Sequence, residues 1–319
     1  MSPEAQVLVV GESLMDVVID ADGGETDAPG GSPANVALGL ARLGVGARLV
    51  TALARDAYGE AIAAHLEASG VVIDEGSWSL ERTASARATI AADGSATYDF
   101  DIAWELPVAP ALAGERVLHT GSIAAFLAPG AARVREAVAA ASGQALVTFD
   151  PNIRPALLGD AVAVRAEVES LAAACDVVKL SDEDAAWLYP GRAIDVVVAE
   201  LLGAGAGVVA VTLGGDGAVV ANSEASAVVP AVPVDVRDTV GAGDTFMAAL
   251  IAGLLATDAP PATLDHDALA RLGKRAVTAA SITVGRVGAD LPTARELEHA
   301  LDAATVRECI DAAVGTSPW

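Results

Sequence analysis

The sequence predicts an α/β fold, with a mostly parallel central sheet covered by helices on both faces and a small β-sheet lid. The chain has 319 residues, of which 53% are hydrophobic, enough to bury a large core. Short β-branched runs alternate with helical patterns from about residue 116 onward, as they do in parallel sheets. Two separated hairpin patterns interrupt this alternation earlier. We therefore expect one domain over residues 1–319, with lid segments at about 12–30 and 84–104.

The N-terminal elements follow from local residue patterns. The run Val7–Val10 is short, apolar and β-branched, which is typical of a buried strand. The stretch 17–27 combines a short apolar run with turn-forming residues and predicts a small hairpin. A helix then begins with Ser32 as its N-cap and Pro33 at the first helical position, where a missing N–H does no harm, and it ends at Gly44.

A second hairpin pattern lies in the lid region. Segments 84–91 and 95–101 both read as strands, and Ala-Asp-Gly at 92–94 joins them. Asp-Gly between two such runs is a strong turn signal, because the turn needs backbone conformations that these residues tolerate. Further strands are predicted at 116–120, 145–149, 176–180 and 208–212, and helices at 129–141, 161–174, 182–189, 194–202, 242–256, 264–284 and 293–303.

Composition excludes several classes of function. The chain carries 19 Lys and Arg against 43 Asp and Glu, for a net charge of −24. A surface this acidic repels nucleic-acid phosphates and anionic membranes. The chain has two cysteines, and it shows neither a signal-peptide pattern nor an apolar run as long as a membrane span. We therefore expect a cytoplasmic protein whose partners are small molecules, with neither nucleic acid nor membrane among them.

The segment Asp238-Thr239-Val240-Gly241-Ala242-Gly243-Asp244 carries the clearest chemistry. It precedes an apolar helix, and its glycines allow a tight turn that presents consecutive N–H groups to an anion. A carboxylate in the first turn, Asp244, is suited to take a proton from an alcohol while the amides hold a migrating phosphoryl group. Taken alone, the pattern fits an ordinary glycine turn with a capping Asp equally well.

A second segment predicts contacts to a polyol. Gly30 and Gly31 let a ligand approach the backbone closely. Asn35 follows in the helix and offers both a donor and an acceptor group. Asp16, five residues after Gly11, is able to accept two hydroxyl groups. Each of these features also fits a purely structural role in a turn, at a helix start or on an exposed hairpin.

Together the two segments resemble the two signatures of the ribokinase-like carbohydrate kinases, also called the PfkB family. Their order, their separation of about 200 residues and the 11–16 run Gly-Glu-Ser-Leu-Met-Asp all fit, and the resemblance extends over about 7–292. It implies a three-layer sandwich with a β-sheet lid and a kinase that uses ATP and Mg²⁺. The family's lids often pair between subunits, which predicts a homodimer.

The resemblance also implies roles for particular residues of this chain. Asp244 is similar to the family's catalytic base, Gly241, Ala242 and Gly243 to its anion hole, and Asp16, Gly30, Gly31, Asn35 and Phe100 to positions near the sugar. The implied ATP contacts are Lys179, Ser181, Thr212, Gly214, Gly217, Gly241, Gly243 and Ala280. Asp238, Val240, Arg286 and Gly288 are expected to surround a monovalent cation such as K⁺.

One motif departs from the family pattern. Where the family commonly has Asn-x-x-Glu, which organises Mg²⁺ and phosphate through water, this chain has Ser181-Asp182-Glu183-Asp184. Asp184 keeps the charge but is one methylene shorter than Glu, and Glu183 is the alternative carboxylate. We therefore expect Mg²⁺ near Asp184 or Glu183.

The choice of sugar depends on two further features. The run Phe149-Asp150-Pro151-Asn152-Ile153-Arg154 follows a predicted strand, and ligands in such sheets bind at the carboxyl edge. It resembles fructokinases and 2-keto-3-deoxygluconate kinases, with Arg154 contacting either the transferred phosphoryl group or a substrate carboxylate. Ser32-Pro33 favours a fructokinase over a ribokinase, and Arg87 is the only cation in the lid strands that would bind an acid. Fructose is the predicted substrate.

Other functions remain as alternatives at this stage. A 2-keto-3-deoxygluconate kinase, a ribokinase or a nucleoside kinase would use the same fold. A nucleoside kinase would need an aromatic-lined pocket for the nucleobase, and the low aromatic content of 3% argues against one. A non-catalytic sugar- or nucleotide-binding regulator belongs to a different class and would have no need of Asp244. The chain lacks the Gly-x4-Gly-Lys-Ser/Thr run of P-loop kinases.

Overall fold

The computed structural model describes residues 5–91, 95–257 and 259–315, with side chains through residue 304. Its largest element is a nine-stranded sheet in the order β13-β12-β11-β10-β9-β8-β1-β4-β5. Neighbouring strands from β11 to β5 are parallel, and β12 is antiparallel to both its neighbours. The strands of this sheet are β1 Val7–Val10, β4 Ala47–Val50, β5 Val72–Ile73, β8 Val117–Gly121, β9 Leu146–Asp150, β10 Val177–Ser181, β11 Val208–Thr212, β12 Ala218–Ala221 and β13 Ser226–Val229.

Helices cover both faces of this sheet, which confirms the predicted three-layer α/β architecture. One core cluster joins the sheet to α1, α2, α7, α8 and α9, and the other joins it to α3, α4, α5 and α6. The described helices are α1 Ser32–Arg42, α2 Ala57–Glu67, α3 Gly130–Ala141, α4 Ala161–Ala172, α5 Asp182–Leu188, α6 Ile194–Ala204, α7 Ala242–Leu255, α8 His266–Val284 and α9 Ala294–Gly315. No helix among the described residues is long and apolar enough to span a bilayer.

The alternation of side chains along each strand places polar residues under one helical layer. Val177 belongs to the core cluster of α1, α7 and α8, while Val178 belongs to the opposite cluster. Lys179 therefore points to the same side as Val177, toward α7. Pairing of Thr148 with Val177 and of Phe149 with Val178 puts Asp150 opposite Lys179. Asp150 is the last residue of β9, and Lys179 is the central residue of β10.

A second, four-stranded sheet has the order β3-β2-β6-β7 and is called the small sheet below. It is formed by β2 Leu14–Ile19, β3 Glu25–Gly30, β6 Ser85–Ile90 and β7 Ala96–Asp101. These strands fall within the predicted segments 12–30 and 84–104. The two hairpins join through a parallel pairing of β2 with β6. The turn predicted at 92–94 lies outside the described residues.

The start of α1 differs from the prediction. Gly31 is the N-cap and has φ +106°, so Ser32 is the first helical residue and Pro33 the second. Because Ser32 lies inside the helix, its side chain makes no capping hydrogen bond. Elements that were not predicted are β4, β5, α2, β12 and β13, most of which are strands too short for a clear periodicity.

Candidate active site

Helix α7 begins at a tight turn in which the Ala242 N–H donates to the Thr239 carbonyl oxygen at 3.2 Å, while the N–H groups of Gly241 and Gly243 make no backbone hydrogen bond to the described residues. Its N-cap, Gly241, has φ +77°, and no side chain among the described residues caps the helix. A Cβ on residue 241 would lie 2.8 Å from the Cβ of Ala289, so both conformation and space require glycine. Uncapped N–H groups and the helix dipole together make a site for phosphate.

Asp244 lies in the first turn of α7 and is held by two side chains of α1. Ser32 Oγ donates to Asp244 Oδ1 at 2.6 Å, and Asn35 Nδ2 donates to Asp244 Oδ2 at 2.8 Å. The side chain is buried, and burial raises the pKa of its carboxyl. The hydrogen bonds from Ser32 and Asn35, and the charges of Lys179 and Arg154, oppose that rise. Two donors and two cations therefore favour the ionised carboxylate that a base requires.

A buried ion pair lies directly behind the start of α7. Lys179 Nζ donates to Asp150 Oδ2 at 2.8 Å, and both side chains are at most 3% exposed. A Cβ on Gly243 would lie 2.9 Å from Lys179 Nζ, so the ammonium is against the helix start. Burial lowers the pKa of Lys179, but the carboxylates of Asp150, Asp184 and Asp244 outweigh it and leave the pKa raised. Lys179 is therefore a fixed positive charge behind the proposed anion hole.

Asp150 is the acidic partner of this pair. Burial raises the pKa of Asp150 to about 6, while the charge of Lys179 acts in the opposite direction. The ammonium of Lys179 at 2.8 Å favours the ionised form of Asp150. An ion pair is retained in a buried position when each charge has a close partner.

The motif that departs from the family pattern has a structural role in this chain. Ser181 and Asp184 form a capping box at the start of α5. Asp184 Oδ2 accepts from the Ser181 N–H at 2.9 Å, and Oδ1 accepts from the Ile153 N–H at 2.8 Å. The carboxylate thus ties α5 to the loop after β9. Glu183 is exposed beside it.

The small sheet contributes Asp16 through a close approach of two strands. A Cβ on Gly30 would lie 2.1 Å from Asp16 Oδ2, so the carboxylate occupies space that only glycine leaves open. Burial raises the pKa of Asp16 to about 6, and the charge of Arg154 opposes that rise. Gly30 itself is buried behind Asp16 and does not line the cavity described next.

One cavity of about 1120 Å³ connects these groups. At one end the small sheet and α1 enclose a polar compartment, and at the other the β12–β13 region and α8 form an apolar groove. The start of α7 lies between the two ends. Predicted residues that line the cavity are Asp16, Gly31, Asn35, Phe100, Arg154, Lys179, Ser181, Glu183, Asp184, Thr212, Gly214, Gly217, Val240, Gly241, Ala242, Gly243, Asp244 and Ala280.

The residues predicted around a monovalent cation lie outside this lining, except Val240. Asp238 accepts from the Val240 N–H at 3.0 Å and from the Gly288 N–H at 2.8 Å, and these hydrogen bonds lower its pKa. Asp238 therefore ties the loop before α7 to the loop after α8. The side chain of Arg286 forms ion pairs with Asp290 and Glu296.

Several residues of the cavity were not predicted from the sequence. Glu12 is buried in the polar compartment, where burial raises its pKa to about 7, and its Oε2 accepts from the Ala124 N–H at 3.1 Å. Ser32 was expected to cap a helix. The apolar groove includes an irregular segment at 231–236 that no motif marks. Val232, Pro233, Val234 and Val236 are its lining residues.

A buried carboxylate at a helix N-terminus without a side-chain cap, inside a cavity that also holds two cations, is the arrangement expected for phosphoryl transfer. The model of the pfkB family of carbohydrate kinases matches residues 4–296. The chain belongs to this family and is a sugar kinase. A fructokinase of Rhizobium leguminosarum bv. trifolii is 34% identical over 279 residues, covering 82% of this chain and 85% of the relative.

Solved structures agree with this assignment of the fold. A fructokinase with bound ATP from Xylella fastidiosa has a TM-score of 0.81 at 24% identity and covers 94% of this chain and 98% of that one. Aminoimidazole riboside kinase from Salmonella enterica, complexed with aminoimidazole riboside and an ATP analog, has a TM-score of 0.74 at 25% identity. The alignment with the Salmonella kinase covers 92% of this chain and 99% of that one.

Proposed function

We propose that this protein is an ATP-dependent fructokinase that transfers the γ-phosphate of ATP to a hydroxyl group of fructose. The observation that carries the proposal is the position of Asp244, which is buried at the start of α7 between the two ends of one cavity. A carboxylate in that place is able to meet a sugar hydroxyl on one side and a phosphoryl group on the other.

The polar end of the cavity suits a sugar. Asp16 supplies acceptor oxygens, and the Oδ1 of Asn35 is left as an acceptor because its Nδ2 bonds to Asp244. The backbone at Gly31 packs closely against the backbone of Glu12, since a Cβ on residue 31 would lie 2.6 Å from the Glu12 carbonyl oxygen. Phe100 adds an apolar face. Hydrogen-bonding groups beside one aromatic ring are typical of a carbohydrate site.

A neutral sugar is favoured over an acidic one by the orientation of the small sheet. Ala86 and Phe100 pair across β6 and β7 and line the cavity, so Arg87 points to the opposite face of the sheet. There it forms an ion pair with Glu25. Arg87, the lid-strand cation that was available to bind an acidic sugar, therefore points away from the proposed sugar site.

The apolar end of the cavity suits the nucleotide. Ala280 and Val284 on α8 face the irregular segment 231–236 across a groove that a nucleobase would fill. Thr212, Gly214 and Gly217 lie between this groove and the start of α7, where the phosphates would be. Backbone at Gly217 must come close to Val229, since a Cβ there would lie 2.0 Å from the Val229 carbonyl oxygen.

Magnesium is expected to enter with the nucleotide. Mg²⁺ prefers one or two carboxylates, water and substrate phosphates to a cage of protein ligands. The described residues contain no cluster of three His, Cys, Asp or Glu side chains that would hold a metal by itself. Asp184 and Glu183 line the cavity and provide the carboxylates, directly or through water. The ion would neutralise charge on the phosphates.

Several residues of this chain have separate roles in the proposed phosphoryl transfer. Asp244 accepts the proton of the sugar hydroxyl as that oxygen bonds to the γ-phosphorus. The bond from the γ-phosphorus to its bridging oxygen breaks, and the electron pair leaves with ADP. The backbone at Gly241, Ala242 and Gly243, together with Arg154, stabilises charge on the transferring group. The small sheet excludes water from the sugar.

A monovalent cation is expected to raise activity through the loops that Asp238 joins. Its two carboxylate oxygens hold the loop before α7 and the loop at 285–290 together, directly behind the anion hole. K⁺ among their carbonyl groups would fix the position of Gly241. Replacing KCl by choline chloride at the same ionic strength should then lower kcat, and equal rates would exclude activation.

The substrate is tested by ADP release from Mg-ATP with fructose, ribose, 2-keto-3-deoxygluconate, tagatose 6-phosphate, adenosine and no sugar. Strong turnover with fructose alone supports the proposal. Turnover with 2-keto-3-deoxygluconate would mean that Arg154 binds a substrate carboxylate, and turnover with ribose or adenosine would mean a ribokinase or nucleoside kinase. No turnover with any of them, with ATP still bound, would favour a substrate outside this panel or a non-catalytic regulator.

We also propose that the small sheet acts as a lid on one catalytic unit and pairs with a second copy. By register, Val18, Ala88 and Tyr98 continue the face that carries Asp16 and Phe100. Val18 is 43% exposed and Tyr98 62% exposed, so an apolar surface extends outward from the sugar end. Light scattering should give a dimer for the protein and a monomer for Tyr98→Asp. A monomeric protein would contradict this.

A cytoplasmic location is part of the proposal. Cys175 is a buried free thiol, as expected in a reducing compartment. Fractionation of the native host cells, with activity recovered outside the cytosol, would contradict it.

A further inference from the structure

Ser32 has an unusual position for a residue at the start of a helix, because its hydroxyl group is directed at the base. It is 8% exposed, and its Oγ donates to Asp244 Oδ1 at 2.6 Å. Asn35 is one helical turn further on the same face of α1 and donates to the other carboxylate oxygen at 2.8 Å. The first turn of α1 thus holds both oxygens of Asp244.

Asn35 and Ser32 differ in the hydrogen bonds that they can form with the carboxyl group of Asp244. The amide N–H of Asn35 is able only to donate, so a proton on Oδ2 would face a second hydrogen. The hydroxyl of Ser32 is able to rotate: it donates to an ionised carboxylate and accepts from a protonated one. Oδ1 is therefore the oxygen on which a proton keeps a hydrogen-bond partner.

We propose that Ser32 is a positioning residue for the base, and that its hydroxyl makes Oδ1 of Asp244 the oxygen that receives the substrate proton. This inference rests on the proposed function. In the transfer step the sugar O–H bond breaks, and its oxygen bonds to the γ-phosphorus while ADP leaves. The proton goes to Oδ1. The Ser32 hydroxyl donates to Oδ1 before the step. After the step the new carboxyl O–H turns about its C–O bond toward Oγ, which then accepts, so the carboxyl group is hydrogen-bonded to Ser32 in both states.

The other charges near Asp244 come from different elements and remain when Ser32 is changed. Lys179 on β10 and Arg154 in the loop after β9 stabilise its negative charge. Asp150 on β9 and Asp184 on α5 lie around the same lysine. Because several of these groups titrate, a pH profile of activity alone would not identify the group whose pKa changes. The test therefore needs a signal from Asp244 itself.

The experiment follows the carboxyl ¹³C resonance of Asp244 against pH in protein labelled at aspartate, assigned with Asp244→Asn. Loss of a hydrogen bond to a charged group should move the midpoint upward by about one pH unit in Ser32→Ala. The acid limb of kcat/KM should move by the same amount. Ser32→Thr, which keeps the hydroxyl, should stay near the wild-type midpoint.

Two further variants make the result decisive. Ser13→Ala removes another buried serine hydroxyl, which bonds to Thr51 and not to Asp244, and should leave the midpoint unchanged. Ser32→Cys keeps the size but donates weakly, so it carries the test if Ser32→Ala does not fold.

An unchanged midpoint in folded Ser32→Ala or Ser32→Cys would overturn the proposal. So would equal shifts in Ser32→Thr and Ser32→Ala, since volume and not the hydroxyl would then be the cause. The resonance is measured without turnover, so a failure to phosphorylate fructose is a separate result and concerns only the proposed function.

Discussion

At the scale of single residues, the site depends on carboxyl groups that are buried next to compensating partners. Asp244 has two hydrogen-bond donors, and Asp150 has the ammonium of Lys179. Glu12 has a backbone N–H from Ala124, and burial still raises its pKa to about 7. The ionisation state of each group therefore depends on its partner, and each is open to a separate test.

Asp244→Asn should lose about 10²–10⁴-fold in kcat, because an amide has no basic oxygen to take the hydroxyl proton. The measurement is initial rate with saturating sugar and Mg-ATP. Binding of ATP and the melting temperature should stay close to those of the wild-type protein. An unchanged kcat would exclude Asp244 as the base without affecting the fold.

Glu12→Gln should change how stability depends on pH. A carboxyl whose pKa is raised on folding binds its proton more tightly in the folded state. Its contribution to stability is therefore present below about pH 4.5 and declines as pH rises to about 7. Glutamine does not titrate, so the variant should gain stability relative to the wild type over that window.

The gain should approach ~3 kcal/mol, since one pKa unit corresponds to about 1.4 kcal/mol. Urea unfolding at several pH values measures it. Glu105→Gln, at an exposed position, controls for the loss of a negative charge. A constant difference between Glu12→Gln and wild type from pH 4.5 to pH 7 would contradict the argument.

At the scale of elements, two neighbouring strands and one helix start place the charges of the site. Pairing of β9 with β10 puts Asp150 beside Lys179 on the face under α7. Gly243, in the first turn of α7, leaves room for the ammonium. The absence of one side chain therefore decides how close a positive charge comes to the proposed anion hole.

Gly243→Ala should lower activity while the protein still folds. The new Cβ would lie 2.9 Å from Lys179 Nζ, so the ammonium has to shift away from the helix start. We expect a loss in kcat/KM of roughly tenfold or more, which corresponds to about 1.4 kcal/mol of transition-state stabilisation. Steady-state kinetics measure the loss.

Gly203→Ala is the matched control for this change. Residue 203 lies in α6, and a Cβ there meets no atom within 4 Å. Alanine should raise the free energy of unfolding by roughly 0.5–1 kcal/mol through helix propensity and leave activity unchanged. Equal kinetics for the two variants would mean that Lys179 does not need its position against Gly243.

At the scale of the whole molecule, charge is distributed very unevenly between surface and site. The chain has a net charge of −24, yet two cations, Lys179 and Arg154, line the cavity where phosphates are expected. Repulsion among surface carboxylates destabilises the compact state. Lys179 is buried and Arg154 is exposed, so the positive charge of the cavity is local and is set against an acidic surface.

Salt should therefore stabilise this protein. Raising choline chloride from about 10 mM to about 0.5 M shortens the Debye length from roughly 30 Å to less than 8 Å and screens the repulsion. The melting temperature should rise by roughly 1–2 °C for each kcal/mol gained. An unchanged or lower melting temperature would contradict this. A larger rise with KCl would indicate a specific K⁺ site.

Much of the architecture was predictable because it depends on local patterns. The runs at 7–10 and 208–212 are apolar and rich in β-branched residues, and they form β1 and β11. Strands β12 and β13 were not predicted, since a four-residue strand shows little periodicity. The turn 238–244 stood out because glycine spacing and a following carboxylate are visible in one segment.

The sequence by itself determined the α/β class, the two hairpins of the small sheet and the phosphate-transfer motif at the start of α7. These follow from short-range periodicity and from glycine conformation. Only the tertiary structure decided the partners: Ser32 with Asp244 across 212 positions, Lys179 with Asp150 across 29, and Arg87 with Glu25 in the small sheet. Register and packing set those contacts, and they act between segments that are distant along the chain.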